Sequence, residues 1–184
     1  GTNMARTLDA VVEELERADT EMGPTCQAIS HGSLMGARGN SGVILSQILR
    51  GIADVVRQVE EVSAATVAEA FSSAAKAAYS AVLRPIEGTI LTVVREVAEA
   101  TSAAAVAEDA TLVSVLEAAR AAGRESLART PDLLPVLRDA GVVDAGGAGF
   151  LLLIDAALNV VDGRPLPEVE APEVELPAQS HAPS

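Results

Sequence analysis

Apolar residues recur at helical spacing along almost the whole chain. From about Asn3 to Ala18, the residues Met4, Leu8, Val11, Val12 and Leu15 fall on one side of a 3.6-residue period, with Asp9, Glu13, Glu14 and Glu16 on the other. Gly23-Pro24 closes that unit, and the pattern predicts a second helix from Thr25 to about Met35. A glycine-rich turn, Gly36 to Gly39, precedes a third helix capped by Asn40 or Ser41 and carrying Val43, Ile44, Ile48, Leu49 and Ile52. A fourth runs from Thr66 to Leu83 and is stopped by Arg84-Pro85, and a fifth starts near Glu87-Gly88-Thr89 and passes through Val94 and Val97. The sixth fits Thr111 to about Ala128. A short seventh begins at Thr130-Pro131-Asp132, with threonine as N-cap and proline at the first helical position. The eighth carries Phe150 to Val161 and ends at Asp162-Gly163. No segment alternates as a strand does. The expectation is an all-α domain over residues 1–163, a barrel or bundle of about eight antiparallel helices.

From Arg164 the pattern stops. Five prolines in 21 residues alternate with glutamate and small residues, a composition that buries too little apolar surface to fold. Residues 164–184 are therefore expected to be an acidic linker or tail, and a linker implies a further C-terminal domain.

Composition sharpens this picture. Hydrophobic residues make up 49% of the chain but aromatic ones only 2%, so the core is built from Ala, Val and Leu, which lets helix axes approach closely. The formal net charge of −13 disfavours general binding to a nucleic-acid backbone. Any phosphate ligand then needs a local site of backbone amides, metal ions or a few arginines. Cys26, the single cysteine, excludes an intrachain disulfide and a multi-cysteine metal site. The charged start lacks the apolar run of a signal peptide, and the Phe150–Ile154 run is broken by Asp155 and is short for a bilayer. A soluble cytoplasmic protein without membrane insertion is expected.

Three segments place glycine and a small polar residue immediately before an apolar helix: Gly36–Gly42, Glu87-Gly88-Thr89 and Asp144–Gly149. Helix N-termini carry unpaired amides and partial positive charge and so favour an anion, while Ser41 or Thr89 can donate to a phosphate oxygen or cap its own helix. Each segment alone reads more readily as an ordinary cap. Their convergence at one end of a bundle would favour a ligand. Gly36–Gly42 lacks the Gly-Lys-Ser/Thr ending of a Walker A loop and follows no strand. Arg38 is a candidate to neutralise phosphoryl charge or an exposed surface arginine. Asp144 is first a helix cap and second an active-site carboxylate; His31 is a polar or capping residue, and His181 lies in the tail.

The run His31-Gly-Ser-Leu-Met-Gly-Ala-Arg-Gly-Asn-Ser-Gly-Val-Ile-Leu-Ser-Gln-Ile-Leu-Arg-Gly51 resembles the signature of the nucleotide-binding domain of fatty-acid kinases. That domain is similar to the nucleotide-binding (L-type) subunit of dihydroxyacetone kinases. The resemblance continues in Glu87-Gly-Thr-Ile-Leu-Thr-Val-Val-Arg95 and Ala140-Gly-Val-Val-Asp-Ala-Gly-Gly147, and it covers Gly1 to about Gly163. It implies an eight-helix barrel binding ATP or ADP with Mg²⁺ at one end. Gly39, Asn40, Ser41 and Gly42 would cradle phosphates, with Gly88, Thr89, Asp144 and Gly146 near the nucleotide. Asn3 and Met4 match the end of the family's first motif, aspartate-glycine-aspartate-threonine-glycine followed by threonine-asparagine-methionine. The metal-holding aspartates of that motif are thus expected upstream of Gly1, which leaves this stretch alone a poor kinase. Arg38 before Gly39-Asn-Ser-Gly42 leans towards the fatty-acid branch, whose substrate carboxylate is presented by a fatty-acid-binding carrier protein; the family also tends to form homodimers. The alternatives are phosphorylation of dihydroxyacetone or a related small polyol, and a non-catalytic nucleotide-binding or interaction module.

Overall fold

The computed structural model describes residues 1–168, and among them the regular structure is eight α-helices with no strand. In chain order they are α1 (Thr2–Arg17), α2 (Met22–Gly36), α3 (Gly39–Val56), α4 (Ala64–Ser80), α5 (Ile90–Ala104), α6 (Leu112–Leu133), α7 (Pro135–Ala140) and α8 (Ala145–Asp162). The all-α expectation holds. Residues 164–168 have no regular structure, and most of the expected tail, including His181, lies outside the described residues.

Each helix from α1 to α6 packs on the next, and α8 closes against α5 and α6. The N-termini of α3 and α5 share one end of the bundle with the chain leaving α4, whereas the C-terminal half of α3 meets the start of α4 at the other. Consecutive helices here are therefore antiparallel. The central element is α5. It buries Ile90, Leu91, Thr92, Val93, Val94, Val97 and Ala98 against α4, α6 and α8, and keeps Arg95 and Glu99 on its outer face. Small residues set the spacing around it. A β-carbon at Gly51 would come within 2.8 Å of the Ala74 backbone, so α3 and α4 touch main chain to main chain. The only large rings in the core, Phe71 and Phe150, meet edge to face with centroids 6.1 Å apart.

Several boundaries differ from the sequence expectation. Gly23-Pro24 does not separate two helices; both lie in the first turn of α2, where proline costs nothing because the amide it lacks has no helical partner. Val12, assigned to the apolar face of α1, is exposed. Neither Asn40 nor Ser41 caps α3: its N-cap is Arg38, without a side-chain bond. Thr130-Pro131 does not start α7 but lies inside α6. Pro131 cannot donate to the Leu127 carbonyl one turn back, and the Thr130 hydroxyl takes that carbonyl instead, at 2.7 Å. The break falls at Leu134-Pro135, with Pro135 opening α7.

Over its whole length (18 residues, mean hydropathy 1.5) α8 is long and apolar enough to cross a bilayer, although the Phe150–Ile154 run inside it is short. Its apolarity is used inside the bundle. Phe150, Ile154 and Leu158 enter the core, and buried Asp155 accepts from Arg120 Nε on α6 at 2.8 Å.

Candidate functional site

The start of α3 is held against α1 by close packing. Gly39 adopts φ +62°, a conformation that disfavours any side chain, and the Asn3 amide lies directly against it. A β-carbon at Gly42 would stand 2.7 Å from Thr7 Oγ1, so its lack of a side chain serves the α1–α3 contact. With no side chain capping α3, its first-turn amides are left available to a ligand.

At the start of α5, Gly88 has φ +82° and a β-carbon there would meet Leu134 Cβ at 2.8 Å. Its amide donates to Thr92 Oγ1 at 2.9 Å. Thr89 caps α5 by accepting from the Leu91 amide at 3.3 Å, and its proton goes to the Ile86 carbonyl at 2.7 Å. A phosphate would have to displace that carbonyl to receive the Thr89 hydroxyl proton.

At α8, Asp144 is a helix cap: Oδ2 accepts from the Gly147 amide at 2.8 Å. Its own amide donates to Thr130 Oγ1 at 3.1 Å, tying the start of α8 to α6. Gly147 presses within 2.9 Å of Val93 by the same β-carbon measure, and Gly149 within 3.0 Å of Met4, so the glycine run seats α8 on α5 and α1.

These three helix starts meet. Asn40 and Ser41 of α3, Thr89 and Ile90 of α5, and Asp144 and Gly146 at α8 line one cleft of about 770 Å³. Its remaining wall is the chain between α4 and α5, from Ala81 to Ile86, which adds apolar surface and one cation, Arg84. A smaller recess of about 180 Å³, lined by Gly1, Asn3, Met4 and Ala145, shares Ser41 and Gly146 with the cleft. Of the residues singled out in the sequence, Asn40, Ser41, Thr89, Asp144 and Gly146 line the cleft, and Asn3 and Met4 line the recess. Arg38, Gly39, Gly42 and Gly88 line neither. Arg38 donates to the carbonyls of its own turn, Ala37 at 2.9 Å and Met35 at 3.3 Å. His31 lies away from the cleft, with Nδ1 3.5 Å from Glu14 on α1. Cys26 is buried, and burial pushes its thiol pKa up.

Sequence reasoning passed over Arg84, which it took as part of a helix stop, and the cluster that fixes the α4–α5 connection. Glu87 Oε2 accepts from Thr92 Oγ1 (2.7 Å) and Arg95 Nη2 (3.0 Å), while Oε1 accepts from Tyr79 Oη (3.0 Å). Arg95 Nε also donates to Tyr79 Oη at 3.2 Å. The Thr92 hydrogen bond, helped by Arg95 and Tyr79, holds the Glu87 carboxyl below its ordinary pKa; burial raises that of Tyr79. The signal available in the sequence was a tyrosine, a glutamate and an arginine eight residues apart in turn, flanking a proline-containing connection.

The cleft suits a nucleotide better than it suits a metal. Its apolar wall can take a base, and the start of α3, which no side chain caps, can take phosphates. Asp144, however, is the single carboxylate among the lining residues and is engaged as a cap, and no group of three His, Cys, Asp or Glu among the described residues could hold a metal ion. These residues alone do not fit Mg²⁺ as resident ligands.

Fold and site together define an all-helical domain with an anion-receptive cleft at one end. The chain belongs to the DAK2-domain family, whose model matches residues 1–159, and this is a kinase-related family of the dihydroxyacetone-kinase L type. It is similar to Protein YloV of Bacillus subtilis, with 42% identity over 170 residues, covering 91% of this chain and 30% of the relative. It is likewise 42% identical over 179 residues to the uncharacterized protein SERP0792 of Staphylococcus epidermidis, covering 95% of this chain and 32% of that protein. With SAUSA300_1119 of Staphylococcus aureus, also uncharacterized, it shares 41% identity over 165 residues, covering 89% of this chain and 30% of the relative. The chain thus spans about a third of the length of the curated relatives it matches.

Proposed function

We propose that this domain is the ATP-binding part of a soluble, cytoplasmic kinase that phosphorylates a fatty-acid carboxylate presented by a separate acyl-binding protein. The observation that carries the reading is the convergence of the starts of α3, α5 and α8 on one cleft. Unpaired amides of α3 would meet phosphate oxygens, Ser41 would donate to them, and the apolar wall would hold the base and exclude water. In the reaction the bond between the γ-phosphorus and the ADP oxygen breaks, and a new bond forms to a carboxylate oxygen, giving an acyl phosphate. Magnesium is proposed to accompany the nucleotide and, when bound, would neutralise phosphate charge; the described residues of the cleft do not themselves supply its ligands.

The test is acyl phosphate formation from ATP and a fatty acid loaded on an acyl-binding protein, using the full-length protein. Turnover supports the reading, and none with a competent carrier overturns it. Turnover with dihydroxyacetone and its binding subunit instead would assign a polyol substrate, the second reading that the family allows. The single committed carboxylate in the cleft favours a third, a non-catalytic nucleotide-binding module. That module would bind ADP without turnover. A homodimer is also proposed, to be checked by sedimentation.

A further inference from the structure

The chain between α4 and α5 puts one cation into the cleft wall and then fixes its own backbone. Among the cleft-lining residues Arg84 is the sole positive side chain, and it makes no ion pair among the described residues. Arg38, the cation that the glycine-rich run suggested, spends its guanidinium on two carbonyls of its own turn and stands outside the lining. In a chain of net charge −13, an anion needs such a local cation to be held.

The connection is fastened at both ends. Tyr79, in the last turn of α4, donates to Glu87 from one side, and Thr92 and Arg95, in the first turns of α5, donate from the other. Thr89 Oγ1 fixes the Ile86 carbonyl, and Pro85 fixes its own φ. Arg84 is therefore carried on a short span between two fastened points, the Val82 amide bonded to the Tyr79 carbonyl and the Ile86 carbonyl bonded to Thr89, which limits the ordering cost of binding.

We propose that Arg84 meets the phosphate groups of the nucleotide, and that Glu87 is a positioning residue acting through the Ala81–Thr89 connection. The inference rests on the nucleotide reading above. A guanidinium is suited to the task because its planar donors can engage two phosphate oxygens at once and it stays charged at all working pH values.

The experiment is calorimetric titration of the protein with ADP, with thermal melting of each variant as a check on folding. Arg84→Gln should weaken ADP binding about tenfold or more, the scale of one lost charged hydrogen-bonding contact, with an unchanged melting temperature. Arg84→Lys should recover part of that loss, and Arg38→Gln should stay within about twofold of the unaltered protein. Glu87→Gln should weaken binding, and combined with Arg84→Gln it should cost no more than Arg84→Gln alone, because both act through one contact. Full ADP affinity in Arg84→Gln, or a larger loss in Arg38→Gln, overturns the assignment of Arg84. Additive losses in the double variant overturn the positioning role of Glu87. If the unaltered protein binds no ADP, the nucleotide reading itself falls, an outcome distinct from either of these.

Discussion

The carboxylate of Glu87 collects three side-chain donors, from Tyr79, Thr92 and Arg95, and this ties its protonation to the fold. Its pKa is lowered in the folded protein from an ordinary 4.5, so its contribution to stability is fully present above that value and is lost as the pH falls through the lower folded value. Protonation also turns one acceptor oxygen into a donor facing donors. Glu87→Gln should therefore lower the melting temperature at about pH 6, and the gap to the unaltered protein should narrow towards about pH 3. A gap of constant size in thermal melts across that range would mean that the charge of Glu87 contributes nothing. At this scale the sequence was informative where one residue acts on its own chain neighbours. The caps by Asp144 and Thr89 were readable because each accepts from an amide two or three residues on. Arg38 and Arg84 could not be told apart, because both are arginines beside a turn and their difference lies in where the backbone points them.

Between elements, the α6–α8 contact includes one ion pair with a buried member, since Asp155 is buried and Arg120 comes to it from the neighbouring helix. An apolar helix such as α8 takes a charge into its packed face only with a partner. Asp155→Ala should cost about 2–3 kcal/mol, below the full value for breaking a completely buried pair because Arg120 retains partial access to water. Asp9→Ala, on the exposed face of α1, should stay within about 0.5 kcal/mol. Urea unfolding measures both, and equal effects would show that the pair does not hold α8. Helix periodicity gave the number and order of the elements, because apolar stripes record burial directly. It misplaced the α6–α7 boundary because Pro131 read as a helix start, whereas the Leu127 carbonyl that it leaves without an amide donor is taken up by Thr130 and the helix continues. The same holds at α2, where Gly23-Pro24 falls in the one turn that tolerates proline.

At the scale of the whole molecule, what the sequence withheld was that Ser41, Thr89 and Asp144 share a cleft. Each glycine-rich turn is locally an ordinary helix start, and only antiparallel packing brings three of them to one end of the bundle. That arrangement sets two electrostatic effects against each other. The uncapped start of α3 and Arg84 attract an anion within a few ångströms, whereas the net charge of −13 repels it from farther away. Salt separates the two by range, since the screening length falls from about 30 Å at about 0.01 M to about 8 Å at about 0.15 M. The long-range repulsion is screened away over that interval, while contacts inside the cleft are shorter than either length. Raising salt across it should therefore speed association of a fluorescent ADP analogue in stopped flow, with a smaller change in its dissociation rate. If association slows instead, the local field at the cleft mouth must already outweigh the charge of the whole molecule, and the approach is steered by Arg84 and the start of α3 rather than hindered by the acidic body.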